Sequence, residues 1–161
     1  MRCYLPIALA LLPLYVSAEL LKLTDDVKNA FVKAHNDARA KAGAKPLKWH
    51  KNAEDYAKNH IAKCLFEHSK TKYGENMYAS SAKPGNLLSD AAAAVKGWVD
   101  EKKFADPPKW KCMRDKCGHY TQVIWKKTKY VGCAISSCKG KHRTMIACEY
   151  YPPGNVIGQE P

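Results

Sequence analysis

The sequence predicts an α+β domain in which helices pack on a largely antiparallel sheet. Three observations carry that reading. Apolar residues recur at helical spacing early in the chain. β-Branched and aromatic runs separated by turn formers fill its last part. An even set of six cysteines follows a leader-like N-terminus, which fits a disulfide-stabilised exported domain.

The leader comes first. Arg2, an apolar run from Leu5 to Val16 and the small-residue end Val16–Ala18 have the layout of a secretory signal peptide. The run is shorter than the roughly 20 residues a membrane span needs, and Pro6 and Pro13 interrupt it. Cleavage is expected after Ala18, leaving residues 19–161 as a single extracellular domain. A chain of that size buries roughly two-thirds of its unfolded surface, enough for one core.

The span from Thr24 to Gly43 predicts a helix. Thr24 suits the cap, Asp25 and Asp26 suit the positive end of the dipole, and Gly43 suits the stop. Val27, Phe31, Ala34, Ala38 and Ala42 make one stripe, with His35 beside it as a packed, hydrogen-bonded histidine. A second helix is expected within residues 50–69, ending before His68, with Ala53, Tyr56, Ala57, His60, Ile61 and Cys64 on one face. The four-residue spacing of His60, Cys64 and His68 resembles a zinc pattern, but an oxidised Cys64 cannot serve it. Residues 72–86 are rich in turn formers and are expected to be loop. A third helix follows, with Ser89 as cap and Ala91, Val95, Trp98, Val99 and Lys102 along one side. Glu101 at its end opposes the helix dipole, which points to a tertiary partner.

Pro107–Pro108 bars residues 104–118 from helix or central strand. There Cys112 and Cys117 can close a small ring. Residues 119–125, 130–136 and 144–151 predict strands, with a hairpin turn at 136–143 and an irregular tail at 152–161.

Charge and cysteines bound the partners. Net charge is +12, and Lys102–Arg143 holds twelve Lys or Arg against Asp106 and Asp115. Such a field either attracts anionic surfaces or is a solvated face that keeps the protein in solution. For an exported chain the candidates are anionic lipid or a cell-wall polymer rather than nucleic acid, and a monomer is expected. Cys3 leaves with the leader. Cys64, Cys112, Cys117, Cys133, Cys138 and Cys148 remain, and spacing does not choose among their roughly fifteen pairings. No N-glycosylation sequon occurs.

Longer motifs add a family resemblance. "GHYTQVIW" at 118–125 and "CEYYPPGN" at 148–155 resemble the two signature motifs of the CAP superfamily: cysteine-rich secretory proteins, antigen 5 and pathogenesis-related 1 proteins. "HNDAR" at 35–39, "PLKWH" at 46–50, "HSKTKYGENMY" at 68–78 and "GWVDEK" at 97–102 follow the same order. The likeness is greatest to the pathogenesis-related 1 branch. It implies a three-layer α-β-α sandwich and the disulfides Cys64–Cys138, Cys112–Cys117 and Cys133–Cys148. It also implies a central cleft built from His68, Glu75, Glu101 and His119, with His119 delivered by the start of a strand.

Such a cleft supports more than one chemistry. His68 and His119 are candidate zinc ligands, with the carboxylates as further ligands or as partners of the second ring nitrogens. No cofactor is required, because the same groups also close a hydrogen-bond network. No catalytic residue is assigned. Ser69, Ser80 and Ser81 lack a nucleophile setting such as GxSxG, and a disulfide-bonded Cys117 is no nucleophile. The resemblance implies sterol or fatty-acid binding, with Phe104, Pro107, Pro108 and Trp110 at the sterol-contacting loop; the other reading of that loop is packing, with its aromatics covering the core. A hydrolase at the cleft is the rival. Release of Pro152–Pro161 as a signalling peptide is a third reading. Against that last one, Glu149 stands where the branch usually has asparagine.

Overall fold

Two long strands form the spine of the molecule. The computed structural model describes residues 18–112 and 116–161. The expected leader up to Ser17 lies outside the described residues, as do Met113, Arg114 and Asp115. In chain order the elements are β1 (Glu19–Leu20), α1 (Asp25–Lys41), β2 (Lys48–Trp49), α2 (Lys51–Ile61), β3 (Gly74–Ser80) and α3 (Leu87–Asp100). A 3₁₀ turn (Glu101–Phe104), β4 (Ala105–Asp106), β5 (Lys111–Cys112), α4 (Gly118–Ile124), β6 (Tyr130–Ser137) and β7 (Thr144–Tyr151) follow.

The main sheet runs β1-β6-β7-β3, antiparallel throughout, and β2 adds to β6 in parallel. The period of two along a strand then sorts the side chains. Val131, Cys133, Ile135, Ile146, Cys148 and Tyr150 face the core beneath α1, α3 and α4. Ala134, Met145 and Ala147 face α2 with Ala57 and Ile61. The result is the three-layer α-β-α sandwich, with α2 alone on one side. Gly132 lets α2 sit this close: a Cβ there would lie 2.2 Å from the Glu54 nitrogen and 2.5 Å from the His50 carbonyl oxygen.

The first helix follows its sequence signals. Thr24 Oγ1 accepts from the Val27 N–H, Asp25 and Asp26 fill the first turn, and Gly43 takes φ +70° beyond the end. The other elements depart from expectation in four places. α3 starts earlier than Ser89: Asn86 is the cap, accepting from the Leu88 and Ser89 N–H groups, and the Ser89 hydroxyl donates back to Asn86 O. α2 ends at Ile61, and Tyr56, expected on its buried face, is exposed. Residues 74–80, expected as loop, form β3, because β7 supplies a complete ladder from Gly74–Tyr150 to Ser80–Thr144. Residues 119–125, expected as strand, fall almost entirely in α4. Its Tyr120, Thr121, Gln122, Val123 and Ile124 are all buried, so packing on every side decides the conformation over β-propensity.

Candidate functional site

The cleft starts from the end of α3. Glu101 stands at the negative end of that helix, where its charge is locally unfavourable. The compensation is at the start of α4. Glu101 Oε2 accepts from the His119 N–H at 3.0 Å and from the Tyr120 N–H at 3.4 Å, and Oε1 accepts from His119 Nδ1 at 2.7 Å. The partner that the sequence called for is thus the first turn of a helix, not the start of a strand.

His68 and Glu75 mirror this pair. His68 Nδ1 donates to Glu75 Oε1 at 2.6 Å, and the Ser69 N–H and hydroxyl also donate to the Glu75 carboxylate, at 3.0 and 2.5 Å. A carboxylate can only accept, so both imidazoles carry a proton on Nδ1, and it is the neutral form of each ring that has Nε2 as a lone-pair donor. His68, Glu75, Glu101 and His119 line one cleft of about 290 Å³, with Asn76, Lys116 and Asn155. The structure therefore brings the four predicted residues together.

A buried chain of hydrogen bonds holds the floor of the cleft. The His35 Nδ1–H donates to Phe31 O at 2.8 Å, so His35 Nε2 must accept from the Tyr150 hydroxyl, also at 2.8 Å. Asn76 Nδ2 donates to Tyr150 Oη at 3.1 Å and to His119 O at 3.0 Å. Burial, with Arg39 nearby, lowers the His35 pKa to about 4 despite its bond to Phe31, so the ring stays neutral. His35 is the packed post that the helix pattern implied.

Glu149 is a cleft neighbour that the sequence reading did not assign a role. It pairs with Glu75 across β3 and β7 and is fully buried. Neither of its carboxyl oxygens has a hydrogen-bond partner among the described residues. Burial, reinforced by the Glu75 charge, pushes Glu149 up to about 9, so it is protonated at neutral pH. Burial also opposes ionisation of Glu75, but hydrogen bonds from Ser69 and His68 outweigh it and hold Glu75 below the usual carboxylate range. The pair is one neutral acid beside one carboxylate.

The donor set can be tested against zinc. Two imidazole Nε2 atoms, each backed by a carboxylate on Nδ1, are suitable metal donors. However, the Glu75 and Glu101 carboxylates are already engaged by N–H and O–H donors. No group of three or more His, Cys, Asp or Glu in metal-binding arrangement occurs among the described residues. A resident zinc takes three or four protein ligands, so the residues fit a two-histidine site and fall short of a resident one. The geometry also bears on hydrolysis: the Ser69 hydroxyl gives its proton to Glu75, not to an imidazole.

The predicted lipid loop is the β4–β5 hairpin, with a cis Pro107–Pro108 bond. Pro107 and Pro108 are exposed, while Phe104 and Trp110 are half-buried against the main core. Lys102 lies 4.9 Å from the centre of the Trp110 ring, and Lys103 lies 5.0 Å from that of Phe104. Trp110 also forms the wall of a cavity of about 600 Å³ between the hairpin and the C-terminal tail, with Trp125, Val156 and Ile157. Phe104, Pro107 and Pro108 do not line it. The tail is anchored: Asn155 accepts from Thr121 Oγ1 at 2.7 Å, Gly154 N–H donates to Gln122 at 2.9 Å, and Lys109 pairs with Glu160 at 3.2 Å. Disulfides join Cys64 to Cys138, Cys112 to Cys117, and Cys133 to Cys148.

The comparison that decides the family is the match of the CAP profile, described as the cysteine-rich secretory protein family, to residues 32–150. The chain belongs to the CAP family. It is a pathogenesis-related-1-like member. Pathogenesis-related protein 1B of Nicotiana tabacum is 43% identical over 81% of this chain and 78% of its own. Pathogenesis-related protein 1 of Arabidopsis thaliana is 39% identical over 84% and 83%. Among solved structures, NaASP2 with Zn²⁺ superposes with a TM-score of 0.78 at 24% identity over 86% of this chain and 85% of that one. MpPR-1i gives a TM-score of 0.59 at 16% identity over 85% and 95%. Both show that the CAP chain shares their fold.

Proposed function

We propose that the protein is exported and binds a sterol or fatty acid between the β4–β5 hairpin and the C-terminal tail, in a defence or host–microbe setting. The observation that carries this is the cavity of about 600 Å³ walled by Trp110, Trp125, Val156 and Ile157. Ligand sites for small molecules fall in the range of about 300–1,000 Å³ and combine apolar walls with a few polar groups. Thr121, Asn155 and Gln159 supply the polar groups here. Ile157 is fully exposed, an apolar side chain that a lipid would cover. Lys109 on the cavity rim and Lys102 over the Trp110 ring suit a headgroup or an anionic membrane. Three disulfides fit an oxidising compartment, and the similarity to plant pathogenesis-related proteins motivates the defence setting.

The cleft is then a structural network: one pair closes residues 68–75, the other joins the end of α3 to α4, and Asn76 bonds the His119 carbonyl between them. It can take a divalent metal on two Nε2 atoms without needing one. The relative solved with Zn²⁺ makes zinc the metal to try. The test is direct. Trp110→Ala should weaken sterol binding at least tenfold, while His68→Ala with His119→Ala should leave it unchanged. Loss of binding in the histidine variant alone would place the ligand in the cleft instead.

A further inference from the structure

A separate surface lies at the end of the sheet where β6 begins and β7 finishes. A pocket of about 480 Å³ opens there, with Lys45, Lys48, Lys126 and Lys129 around Pro46 and Tyr130. All four lysines are exposed. No ion pair engages any of them among the described residues, and no acidic residue lines the pocket.

The floor is fixed by a buried cation. Arg39 is fully buried and donates to Lys45 O at 2.7 Å, Val123 O at 2.8 Å, Trp125 O at 2.9 Å and Thr128 O at 3.0 Å. These bonds clamp the two backbone segments that carry the four lysines. They also leave a fifth positive charge beneath the pocket with no carboxylate beside it.

An aromatic row leads away from this pocket. Tyr130 meets His50 at 5.3 Å between ring centres, His50 meets Tyr151 at 6.3 Å, Tyr151 meets Tyr73 at 5.9 Å, and Tyr73 meets Tyr56 at 5.3 Å. Strand register explains it: Tyr130 pairs with Tyr151, and Gly74, next to Tyr73, pairs with Tyr150. Tyr56 and Tyr151 are about 40% exposed, and the other three rings are half-buried. Rings with one apolar face and a polar tip in water are suited to a ligand that is itself amphipathic.

We propose that this end of the sheet binds an acidic polysaccharide, with its carboxylate or sulfate groups in the lysine pocket and its sugar rings along the Tyr130–His50–Tyr151–Tyr73–Tyr56 row. The lysines are point charges that meet such anions without demanding a fixed fork geometry. The pocket is concave and ringed by charge, so a sugar unit can enter it and meet several lysines at once. The aromatic row extends the contact beyond what a single small anion would need. This surface goes beyond the lipid reading and does not rest on it.

The test titrates the full secreted chain with hexagalacturonate, and in parallel with cellohexaose, inorganic phosphate and phosphatidylcholine–phosphatidylserine vesicles. Hexagalacturonate should bind, and its affinity should fall steeply with salt. Lys48→Gln with Lys129→Gln should weaken it at least tenfold, and Tyr151→Ala severalfold. These side chains are exposed, so the variants should fold, and their sterol binding should match wild type. Failure here therefore does not touch the lipid reading. Absence of hexagalacturonate binding would overturn the proposal, as would equal affinity in both variants, or tighter binding to vesicles, phosphate or cellohexaose.

Discussion

Replacing Glu149 by Gln should stabilise the protein, and only above acid pH. In the folded state the carboxyl is buried beside Glu75 and is pushed from 4.5 up to about 9. The unfolded chain ionises it near the ordinary value. The native state thus holds a proton that the unfolded state releases between those two values, and this group lowers stability as pH rises through that window. At pH 7 the difference amounts to about 3 kcal/mol. A neutral amide removes the penalty and adds N–H donors beside the Glu75 carboxylate. The groups facing the site are Glu75, Ser69, His68 and His60, whose Nε2 lies 3.7 Å from Glu75. Glu75 works in the opposite sense: its lowered pKa stabilises above the ordinary carboxylate range and is lost on acidification. Thermal unfolding followed by circular dichroism from pH 4 to pH 8 reads the effect. Glu149→Gln should melt higher than wild type by on the order of 10 °C at pH 7, with the gap closing towards pH 4. An equal gap at both ends, or a variant less stable at pH 7, would refute the protonated-acid argument.

Other outcomes follow from the same bonds. Glu101→Gln loses the charge that meets the His119 and Tyr120 N–H groups and the His119 ring. It should cost about 1–3 kcal/mol in denaturant unfolding and speed amide exchange in α4 before other helices. Arg39→Met leaves four carbonyls without their donor. With about 1–3 kcal/mol lost for each buried acceptor left unpaired, it should be strongly destabilising in denaturant unfolding, and Arg39→Lys should rescue little, since a single ammonium cannot span the fork.

The spine of the fold was legible because its chemistry is local. Tyr130–Ser137 and Thr144–Tyr151 are dense in β-formers with a turn between them, and α1 has its cap, charges and stop in sequence. What misled was residues whose conformation is set by distant partners. His119–Trp125 reads as strand by composition, yet Glu101 satisfies the N–H groups of His119 and Tyr120 and burial on all sides favours a helix. Gly74–Ser80 reads as loop until β7 offers it a ladder. The cleft was legible in part. Glu101 announced a partner through its conflict with the helix dipole, while His68, Glu75 and His119 came from the family motifs rather than from spacing. Arg39 and Glu149 were hidden because charged residues signal surface, and only the fold shows carbonyls around one and a second carboxylate beside the other. The half-exposed aromatic row was equally invisible, since its five rings come from four segments joined by strand register.

The most direct test of the lipid-binding account is mass spectrometry of lipid extracted from protein secreted by a eukaryotic cell, with Trp110→Ala purified alongside. The account predicts a sterol or fatty acid in near-stoichiometric amount with the wild-type chain and little with the variant. A wild-type chain that emerges free of lipid, or a variant carrying the same load, would contradict it.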